Sequence, residues 1–188
     1  MSCFGEGKIM ASLRKASSYS KKKVRPYTRK AKKRQKAYIK TVPQLKVVKF
    51  NMGNMEANKK GKHKFAVRLI ADEKVILRDN AIEACRTLVF KHMEKAVQGQ
   101  YYFAIKVYPH HILRENKTAA GAGADRLSSG MKHSFGITIG RAAIVNPGKE
   151  ILYISCESEK AAKAARQALK NAKPKVPCKS RILFESIK

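Results

Sequence analysis

Residues 101–108 read YYFAIKVY, and their alternation is the clearest structural signal in the chain. In an extended segment successive side chains point to opposite faces. Tyr101, Phe103, Ile105 and Val107 therefore share one fully apolar face, and the opposite face is mixed. This pattern predicts a β-strand with one side in a core, ended by Pro109.

The sequence before this strand predicts a helix and three further strands. Apolar residues recur at intervals of three and four over residues 81–93, with Asn80 available as N-cap and Glu83 as its capping-box partner. This helix is predicted to end before Gly99. β-Branched and aromatic runs predict strands at residues 45–50, 65–70 and 75–77, the first ending at a turn over residues 51–54.

The sequence after it completes the fold class. Residues 137–145 and 151–156 are predicted to be a pair of strands across a turn, and residues 159–172 an Ala-rich helix with Ser158 as N-cap. A last strand is predicted at 181–186. Strands around two helices without regular βαβ alternation predict an α+β fold, a mainly antiparallel sheet sandwich covered by two helices.

The charge of the chain indicates its partner. Of the 188 residues, 42 are Lys or Arg and 13 are Asp or Glu, which gives a net charge of +29 and a pI of about 10.3. Self-repulsion of this size opposes folding unless a polyanion neutralises it, so we expect a nucleic acid partner. Residues 1–50 hold 16 cations against the single acid Glu6. We interpret residues 1–40 as a basic N-terminal extension and residues 41–188 as a single domain.

A long connection over residues 110–136, rich in Gly, Ala, Ser and cations, follows the central strand. Loops of this length in a compact domain are usually functional. Together with the extension and Arg141 on the next predicted strand, it supplies the candidate RNA-binding residues, whose charges suit phosphate and whose rings could stack on bases or dock on the protein itself. They are Lys21, Lys22, Lys23, Arg25, Tyr27, Arg29, Lys30, Lys32, Lys33, Arg34, Lys36, Lys40, His110, His111, Arg114, Lys117, Arg126, Lys132, His133 and Arg141.

Catalytic and metal sites are not predicted. The Gly-x-Gly at residues 121–123 lacks the third glycine and the adjoining strand of a dinucleotide site. The three histidines of the connection could form a metal site or supply a general base, but carboxylates are scarce around them. We favour the alternative in which one of His110 and His111 packs and the other faces solvent or phosphate. We predict no cofactor and no metal.

Folded RNA is favoured over DNA. The glycines allow close backbone approach and the cations are irregularly spaced, whereas no helix-turn-helix, zinc-finger or basic-zipper pattern occurs. Cations on the second helix, at residues 160, 163, 166 and 170, suit phosphate contact better than base reading. No apolar run long enough for a membrane span or an export signal is visible, so we expect an intracellular protein with reduced cysteines and no membrane partner.

Several motifs resemble a known family. Residues 102–117 (YFAIKVYPHHILRENK), 119–126 (AAGAGADR) and Gly130-Met131 closely resemble the universal L-sixteen family of large-subunit ribosomal proteins in its archaeal form, L-ten-e. Residues 26–30 (PYTRK), 50–54 (FNMGN) and 177–179 (PCK) are similar to further segments of that family. Residues 1–24 have no counterpart, residues 31–37 look inserted, and Asn51 stands where the archaeal pattern usually has Asp.

The resemblance implies a function as well as a fold. It implies a structural constituent of the cytoplasmic ribosome, without enzymatic activity, that binds large-subunit rRNA near the central protuberance, the 5S rRNA region and neighbouring ribosomal proteins. It also implies that the 110–136 loop reaches toward aminoacyl-site tRNA and the peptidyl transferase centre. The alternative from another class is a free RNA-modifying enzyme or RNA chaperone with a basic arm.

Overall fold

The computed structural model describes residue 19 and residues 26–28, 31–37, 39–115 and 136–187. Its strands are β1 Asn51–Gly53, β2 Phe65–Ala71, β3 Val75–Arg78, β4 Tyr101–Ile105, β5 His111–Glu115, β6 Ile137–Val145, β7 Glu150–Cys156 and β8 Ser180–Ser186. Its α-helices are α1 Met55–Lys59, α2 Asp79–Ala96 and α3 Glu159–Ala172, the last followed by a 3₁₀ turn at Lys173–Lys175.

Two antiparallel sheets form the framework. The larger, sheet A, has the order β1-β4-β7-β2-β8, and α3 and α2 pack on one of its faces. The smaller, sheet B, has the order β3-β6-β5 and packs against α2. The α+β class is therefore confirmed, with one short helix, α1, that was not predicted.

The main core lies between sheet A and the two long helices. The alternation predicted for the central strand is confirmed, because Tyr101, Phe103, Ile105 and Val107 are all buried in it. The paired strands β7 and β2 add Ile154, opposite Val67, to the same face. Regular structure ends at Ile105, three residues before the predicted end of the strand.

β6 and β7 form as predicted but do not pair with each other. β6 lies between β3 and β5 in sheet B, whereas β7 lies between β4 and β2 in sheet A. The chain passes from one sheet to the other at the turn before Glu150, where Gly148 has φ +80° and donates its N–H to Ala71 O at 2.7 Å. The predicted pairing was therefore wrong. Turn residues alone do not distinguish a hairpin from a connection between two sheets.

The predicted strand at residues 45–50 is also wrong. This segment joins no sheet, and two of its amides are bound by side chains of α2 instead of by a neighbouring strand. Lys46 N–H donates to Asp79 Oδ2 and Val48 N–H to Glu83 Oε2, both at 3.3 Å. The strand in this region is β1, immediately afterwards, where a turn was expected.

β1 depends on a glycine at its last position. Gly53 has φ +83°, and a Cβ atom there would lie 2.3 Å from Tyr101 O on the neighbouring strand. A side chain at this position would therefore force the two strands apart. Asn54 follows and caps α1 by accepting a hydrogen bond from Ala57 N at 2.9 Å.

The two predicted helix caps have opposite outcomes. Ser158 caps α3 as predicted, because its hydroxyl accepts from Ala161 N at 3.2 Å. Asn80 does not cap α2, which begins one residue earlier, after Arg78. Its proposed partner Glu83 instead accepts hydrogen bonds from Arg86 and from the 45–50 segment.

The connection predicted over residues 110–136 is shorter than expected. Residues 111–115 form β5, which pairs with β6 and buries Ile112 and Leu113. The run HILRE has only two apolar residues flanked by polar ones, so it gave too weak a strand pattern for prediction. Residues 116–135 lie outside the described residues.

Candidate nucleic-acid interface

Half of the predicted RNA-binding residues can be located. The described members are Tyr27, Lys32, Lys33, Arg34, Lys36, Lys40, His110, His111, Arg114 and Arg141. The others lie outside the described residues, and these are Lys21, Lys22, Lys23, Arg25, Arg29, Lys30, Lys117, Arg126, Lys132 and His133.

The basic turn, residues 31–37, presents a cluster of cations. Its backbone is closed by hydrogen bonds from Lys36 N to Lys33 O at 3.2 Å and from Ala37 N to Arg34 O at 3.3 Å. The side chains of residues 32–36 are exposed, and so is Lys40 beyond them. The backbone of the basic turn is thus closed by its own hydrogen bonds, and its charged side chains are exposed.

Two buried residues follow the cations of this turn. Ala37 is 4% exposed and Ile39 is fully buried. Two apolar residues spaced two apart can anchor an extended chain without the broad apolar stripe that a helix would need. The basic turn is consequently attached to the domain at its C-terminal side.

A second attachment joins Tyr27 to β5. Tyr27 N–H donates to His111 Nδ1 and Tyr27 O accepts from Ile112 N, both at 2.9 Å. Because β5 is an edge strand of sheet B, this stretch of chain covers the edge. The His111 ring lies 5.4 Å from the Tyr27 ring and accepts through Nδ1, which places its proton on Nε2.

The adjacent histidines therefore have different environments. His111 is 3% exposed and binds the protein's own backbone, so in this structure it does not reach the surface that RNA would contact. His110 is exposed and its ring contacts Tyr108 at a tilt, with 4.6 Å between the ring centroids. This confirms the favoured alternative, in which one histidine packs and the other faces outward.

Tyr108 was not among the predicted site residues. It is 44% exposed and contacts two other rings, stacking on Phe50 with 5.3 Å between centroids and meeting His110 at a tilt. Exposed rings beside cations are typical platforms for unpaired bases. The mixed face of the YYFAIKVY strand carries this signal, which could have been used to predict it.

Two of the three described arginines of the site, Arg114 and Arg141, lie on sheet B. Arg114 is half-buried on β5. Arg141 is half-buried on β6, opposite Ile112, and donates from Nε to Pro43 O at 2.7 Å. Arg141 thereby ties the segment before β1 to sheet B, which gives it a structural contact that the sequence did not predict.

Metal-ligating side chains and cysteine thiols are the remaining candidates for chemistry among the described residues. No group of three or more His, Cys, Asp or Glu side chains within them could hold a metal ion. Burial raises the pKa of the Cys85 thiol to about 11 and that of Cys156 to about 12, so both are neutral thiols packed in the core. No helix in the described ranges is long and apolar enough to cross a membrane.

One buried polar cluster lies away from this surface, around His63 and Ser155. His63 and Ser155 share a hydrogen bond of 2.7 Å between Nδ1 and Oγ, and Ser155 Oγ lies 2.9 Å from Asn58 Oδ1. Burial lowers the pKa of His63. These contacts attach the chain around α1 to sheet A.

Comparisons with known proteins agree with the motif resemblance. The model of the family described as ribosomal protein L16p/L10e matches residues 26–183. A protein named large ribosomal subunit protein uL16 from Staphylothermus marinus is 42% identical over 177 residues, 94% of this chain and 95% of its own. Proteins of the same name from Pyrobaculum calidifontis and Methanococcus maripaludis are 39% and 42% identical over 173 residues, 92% of this chain and 93% and 94% of theirs.

Proposed function

The chain belongs to the ribosomal protein L16p/L10e family, and we propose that it enters the large ribosomal subunit by binding rRNA through the basic turn and the β5–β6 pair. As a member of this family it is a structural constituent of the large subunit in the cytoplasmic ribosome and not an enzyme. The alternative of a free RNA-modifying enzyme is therefore abandoned.

The register of β5 and β6 carries the proposal. Glu115 lies opposite Ile137 at the end of this antiparallel pair, so residues 116–135 leave and re-enter sheet B at neighbouring positions. These residues include the predicted RNA-binding side chains Lys117, Arg126 and Lys132. A segment whose two ends are fixed by a strand pair is well suited to reach from a rigid base into RNA.

The basic turn supplies the second part of the proposed contact. Its exposed cations stand on a chain fixed at Tyr27 on one side and at Ile39 on the other. Fixing the chain beforehand lowers the entropy lost when its charges meet phosphates. Tyr108 and His110 supply rings on which unpaired bases can stack.

The proposed position follows from the resemblance to the family. It lies near the central protuberance, next to the 5S rRNA region and neighbouring ribosomal proteins, with residues 116–135 directed toward aminoacyl-site tRNA. This position gives the protein a part in holding tRNA during translation. The extension and the single domain, divided near residue 40, would both take part in the rRNA contact.

The test compares two variants with equal charge loss. One replaces Lys32, Lys33, Arg34 and Lys36 with Gln. The control makes the same change at four exposed lysines in and next to α1 and α2: Lys59, Lys60, Lys91 and Lys95. Affinity for protein-free large-subunit rRNA is measured at fixed salt. We expect the basic-turn variant to bind at least about tenfold more weakly than the control, since phosphate contacts dominate such affinities. Equal losses in both variants would refute the proposed site.

A further inference from the structure

The outward face of α3 is a strongly charged surface that the proposed contact does not use. The α3 basic face consists of Lys160, Lys163, Arg166 and Lys170, all of them exposed. At 3.6 residues per turn these four side chains fall within an arc of roughly 120°, and at 1.5 Å per residue they extend over about 15 Å. The face is therefore a continuous cationic stripe.

The opposite side of α3 explains why this stripe points outward. Its buried residues are nearly all alanines, at positions 161, 162, 165, 168 and 172, with Leu169 among them. Small side chains let α3 pack closely on α2 and sheet A. Because its apolar residues lie on one side only, that side faces the core. The charged residues are thus held away from the core by packing.

The stripe is mostly uncompensated. Glu159 is the one carboxylate among the described residues on this side of α3, and it pairs with Lys163 at 2.9 Å, with both side chains largely exposed. Four cations therefore face one acid. Such a surface matches a polyanion, and because it carries no aromatic ring it suits phosphates better than bases.

A depression continues the charge beyond the end of the helix. It has a volume of about 650 Å³ and is bordered by Lys170, Lys173 and Lys179 and by one acid, Asp72, which lies 3.5 Å from Arg181. Lys179 also lies 3.5 Å from Glu73. The cations thus extend from the helix over its C-terminal turn.

The location of this stripe separates it from the first contact. α3 packs on α2 and on β2, β7 and β8 of sheet A, whereas β5 and β6 belong to sheet B, which packs against α2. We propose that the α3 basic face binds the phosphate backbone of a second rRNA segment, so that the protein bridges two parts of the RNA. This inference rests on the proposed rRNA binding and adds a second, independent site to it.

The experiment is hydroxyl-radical footprinting of the full chain on protein-free large-subunit rRNA. The variant replaces Lys160, Lys163, Arg166 and Lys170 with Gln, and the control is again the Gln variant of Lys59, Lys60, Lys91 and Lys95. We expect the α3 variant to lose one protected RNA segment and keep the others, while the control keeps all. The slope of log affinity against log salt should fall by about 2 to 4 in the α3 variant, since each lost phosphate contact removes about 0.7 to 0.9.

A charge-preserving variant guards against misfolding. Replacing Lys160, Lys163 and Lys170 with Arg should keep every footprint, and all variants should melt as the unchanged chain does. Losses equal to those of the control would overturn the α3 site while leaving the proposed function intact. Normal binding of bare rRNA combined with weaker binding to protein-containing subunits would also overturn it, in favour of an acidic protein. No footprint from the unchanged chain would refute the proposed function itself.

Discussion

His111 joins the N-terminal part of the chain to sheet B through one buried acceptor atom. Its Nδ1 accepts the Tyr27 amide, and the adjacent Ile112 amide binds Tyr27 O. Sequence alone could assign different roles to the two neighbouring histidines but not decide which was which. Which of the two histidines is buried depends on how side chains alternate between the two faces of β5, a strand that was not predicted.

A change of His111 to Phe keeps a ring but removes the acceptor. We expect a loss of about 1–3 kcal/mol in the free energy of unfolding, because the Tyr27 amide is left without its partner. Amide exchange at Ile112 should accelerate as Tyr27 detaches. The matched control is His110→Phe, an exposed position. Unchanged exchange at Ile112 would contradict the proposed attachment.

At the scale of elements, α2 holds the 45–50 segment by its carboxylates. Glu83 accepts from Val48 N and from Arg86 Nε at 2.8 Å. The pKa of Glu83 is lowered, mainly by the hydrogen bond from Arg86, with burial acting in the opposite direction and the Val48 amide adding to the lowering. The composition of residues 45–50 favours a strand, but the final structure depends on which acceptors reach their amides.

This gives a pH-dependent prediction for Glu83→Gln. A lowered folded pKa means that the pair stabilises the fold above the ordinary carboxyl pKa of about 4.5, and that this stability is lost as pH falls through the folded value. At pH 7 the variant should lose roughly 0.5–1 kcal/mol, and the difference from the unchanged chain should shrink in acid. Urea unfolding at pH 7 and pH 3 measures it. A difference that grows in acid would contradict this account.

The β5–β6 pair can be tested by shortening what lies between its ends. Replacing residues 116–136 with Asn-Gly would join Glu115 to Ile137 by a two-residue hairpin turn that suits their register. We expect the melting temperature to change by less than about 4 °C, equivalent to about 1 kcal/mol, because the core lies elsewhere. Translation by ribosomes carrying this variant should be impaired. A large fall in melting temperature would place residues 116–135 in the core instead.

Elements that depend on local interactions were predicted from the sequence more accurately than contacts between residues far apart in the chain. α3 was predicted to the residue, because its Ser158 cap and Ala-rich pattern are local signals. The sequence did not predict that β6 and β7 lie in different sheets, because strand pairing depends on which distant strands compete for the edge of each strand. The exposed turn before Ile39 was correctly read as basic, but its anchoring depends on contacts with residues far along the chain.

At the scale of the whole molecule, charge is the dominant property. The net charge of +29 is carried by an α+β core whose described basic surfaces lie on more than one layer. The sequence indicated the family through its motifs and the nucleic acid partner through its charge. The distribution of the cations over separate surfaces could be seen only in the fold. Residues such as Tyr108 joined the candidate site only when their exposure was known.

Binding to isolated rRNA should depend steeply on salt. If six to ten cations contact phosphates, affinity should fall by roughly a thousandfold or more between 50 and 200 mM salt, because bound counterions are released on association. Filter binding over that range measures the slope. A nearly flat titration would remove the electrostatic basis of the account.

Sedimentation of the tagged chain from its own cells tests the central claim most directly. The lysate is separated on a sucrose gradient at high salt, and the chain is located against large-subunit rRNA. A constituent held by two separate RNA contacts should remain with the large subunit, whereas the variant lacking both the basic-turn and the α3 cations should move toward the top. If the unchanged chain stayed mainly in the soluble fractions, the account would be contradicted.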